Sequence, residues 1–229
     1  DIGNNSDQPM GLKFGPIVLL PDIEKRHLFT LFFGAFFGIA SMAFVNVFNY
    51  SIFSALGIPQ EEFGSVAGTL TAVQEVVVVS VIGLFGALSD KIGRRFVYSL
   101  GFFLLGVGYF IYPLADNTTE LYFFRIFVAL GCAANTVMLP TVANDYVHGS
   151  TRGRLIAFTS ILNGLGLVLI ISTFRNFATF YEQLQAPEYL INLGYDSANW
   201  AQYVFWSAST MVFIVSVVLF FNLKKGTAE

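Results

Sequence analysis

The sequence predicts an all-α membrane protein, a six-transmembrane-helix bundle, and three observations carry that prediction. Of its 229 residues, 55% are hydrophobic and only 12% are charged; a soluble domain carries about a quarter charged residues and needs a charged surface. The apolar residues fall in six runs, each near the roughly 20 residues that a helix needs to cross a bilayer. Ten of the twelve Lys and Arg residues lie on alternate connections between those runs, as the positive-inside bias requires.

The spans are expected at about 27–50, 63–88, 96–114, 121–144, 155–177 and 200–223. Residues 1–26 read as an N-terminal cytoplasmic segment and 224–229 as the start of a cytoplasmic linker. Lipid offers no partner to backbone N–H and C=O groups, so each span must close its own hydrogen bonds as a helix. The runs do not alternate apolar and polar residues, as barrel strands would.

The first connection is a polar turn with Gly57 and Pro59, and the second, 89–95, is short and basic. The third, 115–120, is acidic; the fourth, 145–154, is polar and basic; the fifth, 178–199, is the longest and contains Pro187. Lys13, Lys25, Arg26, Lys91, Arg94, Arg95, Arg152, Arg154, Lys224 and Lys225 all fall on one side. Arg175 is on the other side and Arg125 lies within a span. This places both termini in the cytoplasm, with the spans in the cell (inner) membrane. Tyr112, Tyr122, Tyr181, Tyr189 and Trp200 fall near the outer interface, where amphipathic rings are favoured.

Several functions are disfavoured. The one cysteine, Cys132, excludes an internal disulfide framework and a cysteine-based metal site. A membrane-embedded hydrolase or haem protein needs bases or ligands within spans, yet His27 and His148 sit at helix ends. The chain is therefore not read as an enzyme, and no cofactor, metal or nucleic-acid partner is expected. The sequence begins with Asp and reads as processed, trimmed or cut from a longer chain.

Three stretches carry mechanism. The loop Gly86-Ala87-Leu88-Ser89-Asp90-Lys91-Ile92-Gly93-Arg94-Arg95 follows the second helix. Gly86 permits close helix approach. Asp90 ends a helix, where the macrodipole disfavours an anion, so it calls for a cation or another helix N-terminus. Gly93 suits a tight turn. The bland alternative is an ordinary basic loop. After the fourth helix, Asp145 precedes Arg152, Gly153 and Arg154; Asp145 either joins Arg94 or Arg95 in a charge cluster or is a solvated loop residue.

The third stretch opens helix four, with Arg125 inside the span. A buried arginine is costly and marks function by default. Glu75 in helix two lies at a comparable depth. The two are expected to face one another or a common cavity, for proton coupling or a charged substrate. The alternatives are a structural pair or an outward-snorkelling arginine. Gly64, Gly68, Thr71, Glu75, Ile82 and Gly86 form one stripe of helix two. Asn46, Asn49, Asn135 and Asn163 either line a central pathway with that stripe or bond between helices. Pro140 is a candidate kink in helix four.

The loop 86–95 resembles the signature loop of the major facilitator superfamily, and it lies where that family has it. Asp145 to Arg154 is similar to the acidic-to-Arg-Gly segment of many members, with Asp where Glu is usual. Arg125 and Gly131 resemble a further pattern, with Ala129 where Gly is common. The resemblance implies the N-terminal six-helix half of a 12-helix major facilitator fold, built as a 3+3 inverted repeat. It implies that Asp90, Arg94 and Arg95 latch the two halves on the cytoplasmic side. It also implies that helices one, two, four and five line the pathway.

The expected function is secondary active transport of a small solute by alternating access, ion- or proton-coupled as in symport. The expected partners are that solute, membrane lipid, and a missing C-terminal six-helix half or a second copy. The alternative is a non-transporting membrane receptor or scaffold that retains the fold. Helix five lacks the proline pattern of many exporters, which argues against a drug–proton antiporter.

Overall fold

The computed structural model describes residues 13–183 and 199–224. Pro187, Tyr189 and Lys225, and the side chain of Tyr181, lie outside the described residues. A short antiparallel hairpin, β1 (Lys13–Phe14) and β2 (Ile17–Val18), precedes six long helices. These are α1 (Lys25–Ala55), α2 (Phe63–Ile92), α3 (Arg94–Ile111), α4 (Thr118–Tyr146), α5 (Arg152–Gln183) and α6 (Trp200–Asn222). All six are long and apolar enough to cross a membrane.

Local chemistry sets the helix ends. The Asn117 side chain caps α4 by accepting the Glu120 N–H at 3.0 Å, while the Glu120 carboxylate takes the Asn117 amide at 2.8 Å. The same carboxylate accepts the Asp116 N–H at 2.9 Å, which ties the chain entering α4 to its first turn. Pro140 lies inside α4, where it withholds an amide from the helix ladder. A single residue, Gly93, joins α2 to α3.

The helix pairing has an internal symmetry. α1 packs on α5 as α4 packs on α2, α3 packs on α4 as α6 packs on α1, and α3 packs on α6. Exchanging α1–α3 with α4–α6 maps this set of pairs onto itself. Each triplet crosses three times, so the second starts from the opposite side of the membrane: a 3+3 inverted repeat.

Lipid supplies no hydrophobic drive between helices, so the bundle closes by small residues and interhelical hydrogen bonds. A Cβ on Gly131 would lie 2.7 Å from the Gly101 carbonyl, and one on Gly166 would collide with the Phe36 carbonyl. Between α3 and α6, the Ser99 and Ser216 hydroxyls each donate to the other's carbonyl, at 2.7 and 2.8 Å. At the centre, Phe44 of α1 meets Tyr109 of α3, Phe174 of α5 and Phe205 of α6, each at a centroid distance of 5.1 Å.

α2 and α5 are the least buried helices. α2 turns Val66, Leu70, Gln74, Phe85 and Ser89 inward. Its small and polar stripe faces the other way: Thr71 and Glu75 are exposed, and a Cβ on Gly64 or Gly68 would meet nothing within 4 Å.

The segment before α1 is built into the bundle. Ile17, Leu19 and Ile23 are 1–2% exposed; full burial of such a side chain is worth about 1.5–3 kcal/mol. Leu19 forms an antiparallel bridge with Val147, beyond the end of α4. The chain before α1 and the end of α6 meet at this end of the bundle, where Lys224 lies 3.6 Å from Asp22.

Candidate functional site

Two polar clusters stand out, one at the end of the bundle that carries Asp22 and Lys224, the other within the helices. The first is built at the α2–α3 turn. Gly93 has φ 94° and ψ 141°, a conformation that is costly for any residue with a Cβ. Through it α2 reverses directly into α3, so Asp90 and Arg94 stand four residues apart across the turn. Each is unfavourably placed alone, an anion at a helix C-terminus and a cation at a helix N-terminus; together they offset one another.

Arg94 is the hub of this cluster. Its guanidinium pairs with Asp145 at the end of α4, reaches Asp90 at 3.7 Å and donates to the Thr141 carbonyl at 3.4 Å. Of the two arginines expected near Asp145, Arg94 is the partner. Arg95 instead lies over the Phe220 ring of α6, 5.0 Å from its centroid, a cation–π contact. Arg152 is exposed at the start of α5 and forms no ion pair among the described residues. Gly86 is looser than its expected role requires, because a Cβ there would meet only Val137 at an ordinary 4.0 Å.

Asp90, Arg94, Arg95 and Asp145 line a cavity of about 350 Å³ together with Ser89, Tyr146 and Lys224. All the ion pairs are partly exposed, and such pairs contribute roughly 0–1 kcal/mol each. The cluster is therefore better suited to bias a conformation than to hold the fold. Gly93→Ala should lower stability by about 1–3 kcal/mol, read as a drop in the Tm of the purified protein. Gly149→Ala, at an open position, should not.

The second cluster surrounds Arg125, whose side chain is fully buried. Its Nη2 donates to the Asn46 carbonyl oxygen across α1 and α4, while Nε and Nη1 have no hydrogen-bond partner among the described residues. Asn46 is exposed. An arginine can only donate, so Asn46 turns its oxygen inward and leaves its amide NH2 on the open face.

Glu75 and Arg125 form no ion pair among the described residues. The cause is rotational. Glu75 stands on the exposed face of α2, while its neighbour Gln74 is buried, with Oε1 unpartnered among the described residues.

Of the other candidate asparagines, Asn49 and Asn163 bond between helices, whereas neither side-chain polar atom of Asn135 has a hydrogen-bond partner among the described residues. Asn49 is buried and accepts the Tyr112 hydroxyl at 2.8 Å. Asn135 is buried against Gly101 of α3, 2.6 Å from where a Cβ would stand. Asn163 accepts the Ile39 N–H at 3.3 Å where α5 crosses α1. Sequence reasoning missed the burial of Gln74 and the bond between Tyr112 and Asn49. The proximity of Asn49 to the end of α3 becomes visible only once α1 and α3 are packed.

A family model described as Major Facilitator Superfamily matches residues 31–229. The chain belongs to that superfamily. Among curated relatives, the riboflavin transporter RibZ of Clostridioides difficile (strain 630) is 26% identical over 139 residues, covering 61% of this chain and 30% of that protein. A probable inorganic phosphate transporter 1-12 of Oryza sativa subsp. japonica is 28% identical over 153 residues, covering 63% of this chain and 28% of that protein. The inward open xylose transporter XylE from E. coli superposes with a TM-score of 0.58 at 18% identity, covering 87% of this chain and 47% of that one. That likeness shows the fold. The chain thus spans under half the length of the relatives it matches. It is an integral membrane protein of a transporter family, and what it carries is that family's half-size, six-helix unit.

Proposed function

We propose that the chain is the N-terminal half of a secondary active transporter that moves a small solute by alternating access. The observation that carries this reading is the Arg94 bridge between Asp90 and Asp145, set at the one-residue turn between α2 and α3. A weak, half-exposed bridge at a rigid turn is what a reversible latch requires. In this reading the end of the bundle carrying the cluster is cytoplasmic, both termini lie there, and the membrane is the cell (inner) membrane.

A second six-helix half, or a second copy, covers α2 and α5. Their exposed stripes support this, since Glu75 and Thr71 facing lipid would be costly. The pathway then runs along Asn46, Glu75 and the exposed face of α4. Glu75 is the carboxylate placed to carry a coupling proton. The outward NH2 of Asn46, polarised by the buried guanidinium behind it, offers a donor to a solute rich in acceptor oxygens. Inorganic phosphate and riboflavin, named for two relatives, are the first solutes to try.

The test is flux of labelled phosphate and riboflavin into vesicles reconstituted with the full-length protein. Asp145→Asn and Arg94→Ala should each cut flux about tenfold, a loss of near 1.4 kcal/mol, with Tm little changed. Glu75→Gln should abolish acceleration by an inward proton gradient. Full, gradient-dependent flux in both Glu75→Gln and Arg125→Ala proteins would sink the coupling assignment.

A further inference from the structure

We infer that the strap before α1, residues 17–23, and Tyr146 position Asp145 against Arg94, and so set how readily the cluster end of the bundle opens. The inference rests on the gate reading above and adds residues to it.

Asp145 is the penultimate residue of α4. Helix ends fray, and their last carbonyls lack partners within the helix. Here the following residues are fastened in turn. The Tyr146 carbonyl accepts the Leu20 N–H at 3.1 Å, and its phenol oxygen accepts the Lys224 N–H at 3.1 Å. Val147 is bridged to Leu19, and His148 donates its N–H to the Val18 carbonyl at 3.1 Å. The Thr151 hydroxyl meets both the N–H and the carbonyl of Val18 at 3.2 Å, and Arg154 donates to the Pro16 carbonyl at 2.9 Å.

The strap is itself immobilised. Ile17, Leu19 and Ile23 are buried, and Asp22 pairs with Lys224 at the end of α6. Ile23, Tyr146 and Lys224 then line the same cavity as Arg94 and Asp145. The carboxylate that latches α2–α3 therefore stands on a helix end whose direction is set by the strap and by α6. With that end free, the Asp145 carboxylate would sample a wider volume and pair with Arg94 less often. Tyr146 acts through Asp145, so it is a positioning residue.

The experiment uses the full-length protein in a Cys132→Ala background with a reporter cysteine at Ser160, exposed on α5. A membrane-impermeant maleimide is applied from the side of the charge cluster. Leu20→Pro, which removes the N–H given to Tyr146, and Asp145→Asn should each raise the labelling rate about fivefold or more. Their combination should add little beyond either alone. Tyr146→Phe and Asp22→Asn keep the backbone intact and should raise labelling to a lesser degree. The inference is overturned, with the gate reading left standing, if Asp145→Asn speeds labelling while Leu20→Pro, Asp22→Asn and Tyr146→Phe all remain at the parent rate. Lowered Tm with unchanged labelling in the strap variants overturns it equally. If no variant, including Asp145→Asn, alters labelling, both fail.

Discussion

Gly166→Leu will prevent α1 and α5 from packing, and the protein will not be recovered as a folded monodisperse species. A Cβ at this position would overlap the Phe36 carbonyl. The obstacle is backbone, which cannot rotate aside as a side chain can. Even Gly166→Ala forces the helices apart; overpacking of this kind costs typically about 1–3 kcal/mol. Leucine adds bulk where the crossing has no space. Separation also breaks the hydrogen bond from the Ile39 N–H to Asn163, which exists only because the two backbones approach so closely. Its loss leaves a buried amide oxygen unpaired, at about 1–3 kcal/mol. The control is Gly164→Leu, two residues away, where a Cβ would meet nothing within 4 Å. That protein should fold with a Tm near the parent's. If the exposed face of α5 receives a second half, its transport should still be impaired. Recovery of folded Gly166→Leu protein with parental Tm would contradict the close crossing.

The contrast between Gly164 and Gly166 also marks where the sequence stops being legible. The six apolar runs could be read because lipid forbids any spanning form except one that satisfies its own backbone. The Arg94 cluster could be read because α2 and α3 are joined by one residue, so Asp90 and Arg94 are local neighbours; only the choice of Arg94 over Arg95 for Asp145 needed the fold. Glu75 and Gln74 could not be told apart by depth, since adjacent helical residues differ by about 100° in direction. The inward side of α2 is set by its packing on α4, a fact that hydropathy does not carry when both faces are apolar. Asn49, Asn135 and Asn163 look alike in the sequence as polar residues in spans, yet each answers to a different neighbour: Tyr112, Gly101 and Ile39. The strap was invisible because its buried residues, Ile17, Leu19 and Ile23, form too short a run to register as an element. Leu19 finds its bridge partner in a single residue, Val147, more than a hundred positions away.

Removing Asn46 will destabilise the protein more than removing Arg125. The usual expectation for a buried charged residue is the reverse, but Nε and Nη1 of Arg125 have no hydrogen-bond partner among the described residues. Its desolvation is poorly compensated, and replacing such a group with an apolar side chain of similar size is often neutral or stabilising. Arg125→Leu should therefore fold with a Tm at or above the parent's. Asn46→Leu takes away the hydrogen bond from the Arg125 guanidinium to the Asn46 side-chain oxygen and leaves the charge buried. Hydrogen bonds to charged groups are worth about 1.5–3 kcal/mol, so Tm should fall clearly. The double variant should recover most of the loss, because the unpaired charge goes with its partner, and the two sites should be strongly non-additive. Flux should follow a different order. All three variants lose the polarised Asn46 amide that faces the pathway, so all three should transport poorly whatever their Tm. An Asn46→Leu protein as stable as Arg125→Leu would show that other groups compensate the guanidinium. A stable Arg125→Leu protein with full flux would reduce Arg125 to a packing residue and leave Glu75 as the sole charge in the proposed pathway.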